Sequence, residues 1–266
     1  MVNQRLYAVP KPEFVEAPSS WVRRVAARQA VSIRQTGRFL GFRMSRDCDE
    51  QIVTMDASHL AGVTGLAEDV FADVSRMLKL ALSLRMKTPV FLQEKGMPRY
   101  RFCVECLAGM RTPYLPVFWR MDAYRLCTAH QCLLEDHCPH CGAMVCPQSD
   151  FGMNGSMRSD VSMLSQCMAC SKFLWDVPAL KIKAISRKLL SKEDRNRLMN
   201  GRVLVAALFH GQAQYPGQEF IDAREAVERA ERLGLFASGP FLAAGYFRDK
   251  SLVMPVRSKC TVTQRG

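Results

Sequence analysis

No stretch of the 266 residues approaches the apolar length of a membrane span, and the first residues lack the basic-then-apolar layout of an export leader. No Gly-x-x-x-x-Gly-Lys run is present to cradle a phosphate, which leaves any nucleotide hydrolysis to a partner. No histidine is followed two residues on by glutamate. Pro139 follows Cys138 instead of preceding a Cys-x-x-Cys pair, so the zinc-deaminase pattern is absent and the expectation is a protein that is not an enzyme. Carboxylates are scarce: 25 Asp and Glu stand against 37 Lys and Arg, a net charge of +12 with a pI near 9.4. That balance favours nucleic acid through counterion release at phosphates, although an acidic protein surface would also accept it. With no export signal the expected location is cytoplasmic, where reduced thiols favour metal over disulfides.

Cysteine, by contrast, is abundant, with eleven in the chain. Residues 103–170 hold two sets of paired ligands. The first is Cys103-x-x-Cys106 with Cys127-x-x-His130; the second is Cys138-x-x-Cys141 with Cys167-x-x-Cys170. A two-residue spacer lets one tight turn aim both side chains at a point, and two such turns complete a tetrahedron. A closed set of four leaves no position for a reacting water, so the expectation is two structural zinc ions. A redox role for a lone Cys-x-x-Cys is chemically open, but four tandem pairs point to metal. Cys48, Cys132, Cys146 and Cys260 are left over and read as buried or inert thiols.

Along the chain, residues 1–18 are extended by Pro10, Pro12 and Pro18 and should lie over a neighbour. Ser19-Ser20 offers an N-cap for a helix that turns Trp21, Val22, Val25 and Ala26 inward and Arg23, Arg24 and Arg28 outward. Ser32 caps a second, with Ile33, Thr36, Phe39 and Leu40 inward and Arg34 and Arg38 outward. Two short helices around a brief turn resemble part of a helix-turn-helix, though an ordinary helical pair has the same spacing. Residues 43–55 read as a loop. Asp56 caps a further helix, Thr64-Gly65 turns the chain, and Leu66–Leu84 reads as one continuous helix, a second helix-turn-helix candidate. Tyr100, Phe102 and Tyr114 are expected to fill the small cores of the zinc modules, while some basic residues beside them, among Lys87, Lys95, Arg99, Arg101 and Arg111, face nucleic acid. Residues 147–163 read as an exposed insert.

The most basic segment spans 181–202 and includes Lys181, Lys183, Arg187 and Lys188, with Ser191 and Asp194 placed as a capping box. Residues 219–233 read as an amphipathic helix with Phe220, Ala223, Val227, Ala230 and Leu233 on one side. The expected architecture is mainly α. It comprises a helical, helix-turn-helix-like domain at residues 1–95, a double zinc-finger module at 96–178 and a small basic helical region at 179–266.

The zinc region sits in a wider pattern: Cys103-x-x-Cys106-Leu107, Pro113-Tyr114, Trp119-Arg120, Cys127-x-x-His130, Leu133-Leu134 and Cys138-Pro139-x-Cys141-Gly142. Together with Pro18-Ser19-Ser20-Trp21 and Leu60…Thr64-Gly65-Leu66, this order resembles the TniQ family of transposition proteins over about residues 10–175. The resemblance implies an adaptor in target-site selection that links a recognition component to an AAA+ ATPase regulator of transposition. The recognition component would be a DNA-binding protein, a CRISPR effector with its guide RNA, or the adaptor's own DNA contacts. It also implies that the two four-ligand sets are the family's zinc sites, with His137 or His140 as substitutes if the last pair fails. Arg23, Arg24, Arg28, Arg34, Arg38 and the 181–202 segment are the candidate phosphate contacts, and homodimerisation is left open. The competing reading is a free-standing, sequence-specific DNA-binding regulator.

Overall fold

The computed structural model describes residues 5–87, 89–149, 164–186, 188–214 and 219–237, with residues 242, 244 and 247. The expected positions Arg187 and Cys260, and residues 150–163 of the insert, lie outside the described residues. Among the described residues no helix is long and apolar enough to cross a membrane.

The chain is mainly helical. The first helix, α1 (Pro18–Gln29), begins on Pro18 and not on the serines. Proline suits this first position because its missing N–H would have had no helical partner, and Ala17 takes the cap position. Ser19 and Ser20 are fully buried instead. A three-residue turn through Ala30, in the left-handed region, leads to α2 (Ile33–Leu40), opened by a capping box between Ser32 and Gln35. The expected loop at 43–55 contains a short helix, α3 (Cys48–Gln51), started by the Asp47 carboxylate, which accepts from the Asp49 and Glu50 N–H groups.

Asp56 caps α4 (Ala57–Thr64), which ends at Gly65. The predicted continuous helix from Leu66 is not formed. Leu66 N–H donates to Thr64 Oγ1 and Val70 N–H to Ala67 O, so a turn occupies the stretch and α5 starts only at Ala72 (Ala72–Leu82). Local side-chain acceptors here outcompete helix propagation.

A hairpin, β1 (Gln93–Glu94) with β2 (Met97–Pro98), leads into the cysteine-rich unit. That unit holds α6 (Val104–Gly109) and the antiparallel hairpin β3 (Leu126–Cys127) with β4 (Cys132–Leu133). Beyond it, α7 (Lys192–His210) opens with the Ser191–Asp194 capping box. The hairpin β5 (Gln212–Gln214) with β6 (Phe220–Asp222) then leads to α8 (Ala223–Arg232). The sequence placed Phe220 and Leu233 on the inner side of this last helix. Both lie beyond its ends and are exposed, while Ala223, Val227 and Ala230 are buried as expected.

One apolar core runs through all of this, from Trp21, Leu40 and Leu78 through Tyr100, Phe102 and Leu107 to Leu208 and Val227. The N-terminal segment helps to join its parts. Leu6 N–H donates to Val63 O, Trp21 Nε1–H to Pro10 O, and Val117 N–H to Val15 O. A smaller cluster of Leu126, Leu133, Leu180, Ile185, Leu190 and Leu198 seats the later segment on the β3–β4 hairpin.

Candidate metal centres

Three of the four ligand pairs share one local device. The residue after His130 is Gln131, after Cys141 is Gly142, and after Cys170 is Ser171; their φ values are 50°, 71° and 60°. A left-handed residue there turns the chain back so that both side chains of the pair face one point. Glycine adopts it freely, and the other two carry some strain. Gly142 N–H donates to Cys138 O and Ser171 N–H to Cys167 O, each closing a turn. The remaining pair uses a helix start: Cys103 Sγ, at the N-cap of α6, accepts from Cys106 N–H at 3.4 Å.

These turns gather two clusters whose donor atoms lie within 4.8 Å of one another: Cys103, Cys106, Cys127, His130, and Cys138, Cys141, Cys167, Cys170. In the first, His130 Nδ1 lies 3.5 Å from Cys103 Sγ, 3.2 Å from Cys106 Sγ and 3.5 Å from Cys127 Sγ, and Cys106 and Cys127 are 3.6 Å apart. In the second, Cys138–Cys170 is 3.7 Å and Cys141–Cys167 is 3.6 Å. Thiolates around a tetrahedral ion with bonds of about 2.3 Å stand about 3.8 Å apart, so both donor sets fit such an ion. Hydrogen bonds with Cys103 and Cys106 pull the Cys127 thiol below its ordinary range.

His137 and His140, the possible substitutes, are engaged elsewhere. His137 Nδ1 sits 3.0 Å from Asp136 Oδ1, and His140 Nε2 is 3.1 Å from Phe173 O. Sequence reasoning treated Cys132 as inert, but its Sγ lies 3.5 Å from Cys103 Sγ, so it belongs to the first cluster's neighbourhood. The signal was available: Cys127-x-x-His130-x-Cys132 puts it across a hairpin from Cys127.

The expected basic contacts divide. Arg23 and Arg24 do not face outward. Arg23 is 3 % exposed and donates to Pro147 O and Ser149 O; Arg24 is 9 % exposed and pairs with Glu16 and, at 3.6 Å, Glu13. Their helix face is covered by the N-terminal segment and by the start of the insert, whose Pro147 and Gln148 are buried and not exposed as expected. Arg101 is likewise buried, 3.0 Å from Asp122, and burial lowers it to about 10. Tyr100 and Phe102 fill the core.

Lys181 is half-buried and clamps the first cluster: its Nζ reaches Glu105 Oε1 at 2.5 Å and donates to His130 O at 2.9 Å. Arg28, Arg34, Arg38, Lys183 and Lys188 are exposed. Arg34 and Arg38 line an open groove of about 590 Å³ with Gly41, Phe42, Arg43, Met44 and Ser45. Arg43 and neighbouring Arg46 are exposed too, and the sequence reading passed over both.

Comparison with known proteins adds the lineage. No curated protein matches the sequence. Residues 8–134 match the TniQ family model, a span that takes in the helical unit and all four donors of the first cluster, while the second cluster and the later helices fall outside it. Over that span, just under half of its length, the chain is similar to the TniQ family.

Proposed function

We propose that the protein is a non-catalytic adaptor of transposition: it couples recognition of the target site to an AAA+ ATPase regulator, and two structural zinc ions hold its contact surfaces in place. The family match carries this reading, because the matched span includes the first metal cluster as well as the helices in front of it. Four thiol-rich donors at tetrahedral spacing in each cluster are the chemistry that zinc prefers. Bound zinc would fix turns that have few apolar residues of their own and would supply no reacting position.

The side chains that remain on the surface support DNA as one partner. Arg34, Arg38 and Arg43 converge on one groove, and planar guanidinium groups suit phosphate. Target recognition would come from these contacts, from a separate DNA-binding protein, or from a CRISPR effector with its guide RNA. The test is co-purification of the tagged protein with the AAA+ regulator of the same element, with and without DNA. Retention supports the adaptor.

A second reading, a free-standing DNA-binding regulator, draws on the three-residue turn between α1 and α2 and the basic face of α2. Failure to retain the ATPase, together with tight selective binding to one DNA sequence, would favour it.

A further inference from the structure

Beside the four donors of the first cluster stands a further thiol, Cys132. Cys132 is fully buried, and its Sγ is 3.5 Å from Cys103 Sγ, within the separation expected of two thiolates on one ion. It also stands beside Cys127. The hairpin explains both contacts. Cys127 and Cys132 are directly opposed in the β3–β4 register, so their side chains leave the same face of the ribbon. On its other edge β4 pairs with the later segment: Cys132 bridges Lys181, Leu133 N–H donates to Leu180 O, and Ile182 N–H donates to Gln131 O. Cys132 is thus held between two neighbouring strands and aimed at the thiols. His130 sits in the hairpin turn before the left-handed Gln131, and its side chain is 33 % exposed. Of the first cluster's donors, it is the one solvent and chelators reach most easily.

We propose that Cys132 is a reserve ligand of the first metal, one that replaces His130 and converts a three-thiolate, one-imidazole site into a four-thiolate site. In the exchange the metal–Nδ1 bond breaks and a metal–Sγ bond forms. The Cys132 thiol proton passes to water, and no electron is transferred. Cys103 and Cys127, which touch both Cys106 and Cys132, would hold the metal together with Cys106 in either state. The inference rests on the zinc reading but not on the transposition reading. A wild-type protein that binds no metal would defeat the zinc reading; the variants below test the reserve ligand separately.

The experiment compares the full chain with His130→Ala, Cys132→Ser and the double variant. Metal per chain is measured by elemental analysis, and ligation by the absorption of the cobalt(II)-loaded proteins. The expected stoichiometry is about two ions in the wild type and in each single variant, and about one in the double. The thiolate-to-cobalt absorption of the first site should rise by about a third in His130→Ala, the step from three thiolates to four. Retention of metal by His130→Ala with three-thiolate absorption, or a loss equal to that of the double variant, overturns the proposal. If His130→Ala does not fold, the rate of zinc transfer to a chelator decides. Faster release from Cys132→Ser than from wild type supports a reserve ligand, and equal rates overturn it.

Discussion

Arg120 and Asp49, both fully buried, meet at 2.8 Å between Nη1 and Oδ2, and through this contact the cysteine-rich unit is locked onto the helical unit. Arg120 also pairs with Asp47, and its guanidinium lies 4.7 Å from the centre of the Phe91 ring. Asp49 in turn accepts from Ser19 N–H at 2.6 Å and from the Tyr100 hydroxyl. Burial raises the Asp49 carboxyl and Arg120 opposes that rise. One cation therefore offsets two buried carboxylates drawn from the α3 start.

Removal of that cation should be severe. Arg120→Met keeps volume but leaves Asp47 and Asp49 buried without their partner, and breaking such a set costs about 3–5 kcal/mol. Denaturant unfolding should show the loss in midpoint, and Asp47→Asn should cost less because Asp49 remains paired. A change under about 1 kcal/mol in Arg120→Met would mean the junction is held by apolar packing alone.

Gly201 is the position where α7 meets the cysteine-rich unit. A Cβ built there would lie 2.1 Å from Ala123 O, a backbone atom that cannot swing aside. Gly201→Ala should therefore push α7 off its seat, costing about 1–3 kcal/mol despite alanine's better helix propensity. Gly62 in α4 has nothing within 4 Å of its added Cβ, so Gly62→Ala should be neutral or mildly stabilising. Hydrogen exchange along α7 should rise in the first variant only; equal protection in both would remove the close-approach argument.

Glu16 supplies a pH dependence. Burial raises its carboxyl from 4.5 to about 7, against the pull of Arg24. A carboxyl with a raised folded value binds its proton more tightly when folded. Its contribution is fully present below pH 4.5 and is lost as pH rises through about 7. The span corresponds to about 3 kcal/mol. The stability of wild type relative to Glu16→Gln should therefore fall between about pH 4.5 and 7. A flat difference would show that Arg24 keeps the carboxylate charged throughout.

Much of this was legible in the sequence, and the failures are instructive. Spacing alone picked out the eight residues that the fold gathers into two four-donor groups, because a Cys-x-x-Cys turn is a local device that needs no tertiary information. Caps were equally readable: Ser32, Asp56 and Ser191 all start helices where a side-chain oxygen can accept a backbone N–H. The outward assignment of Arg23 and Arg24 failed because periodicity distinguishes apolar from polar faces but not free from covered ones. Residues 10–16 and 147–149, remote in sequence, supply the acceptors that bury them. Cys132 was missed although Cys127-x-x-His130-x-Cys132 is the spacing of a tight hairpin, whose register sets it directly across from Cys127.

Chelation should act on the whole fold. Cys103, Cys127, Cys138 and Cys167 are members of the continuous core, so their thiolates cannot repel one another without disturbing Tyr100, Phe102 and Leu107. Stripping metal with a chelator should lower the melting temperature and raise protease sensitivity in α7, which rests on the β3–β4 hairpin through Leu198 and Leu133. Melting unchanged by complete metal removal would contradict a structural role for the ions.

The last prediction separates the arginines that hold the fold from those that meet DNA. Arg38 and Arg43 are exposed on the α2 groove, whereas Arg23 and Arg24 are spent on internal acceptors. If the groove follows a phosphate backbone, Arg38→Ala/Arg43→Ala should weaken binding to a DNA duplex uniformly across sequences. The slope of log affinity against log salt should then fall by roughly 2, one for each contact removed. Melting temperature and metal content should stay at wild-type values, since both side chains are exposed. Arg23→Ala should do the reverse, lowering stability because Pro147 and Ser149 lose their donor while the salt slope holds. Binding isotherms from about 50 to 200 mM salt, with calorimetry on the same preparations, give both quantities. An unchanged slope in the double variant would move the DNA-facing surface away from α2, toward Lys183, Lys188 and the start of α7.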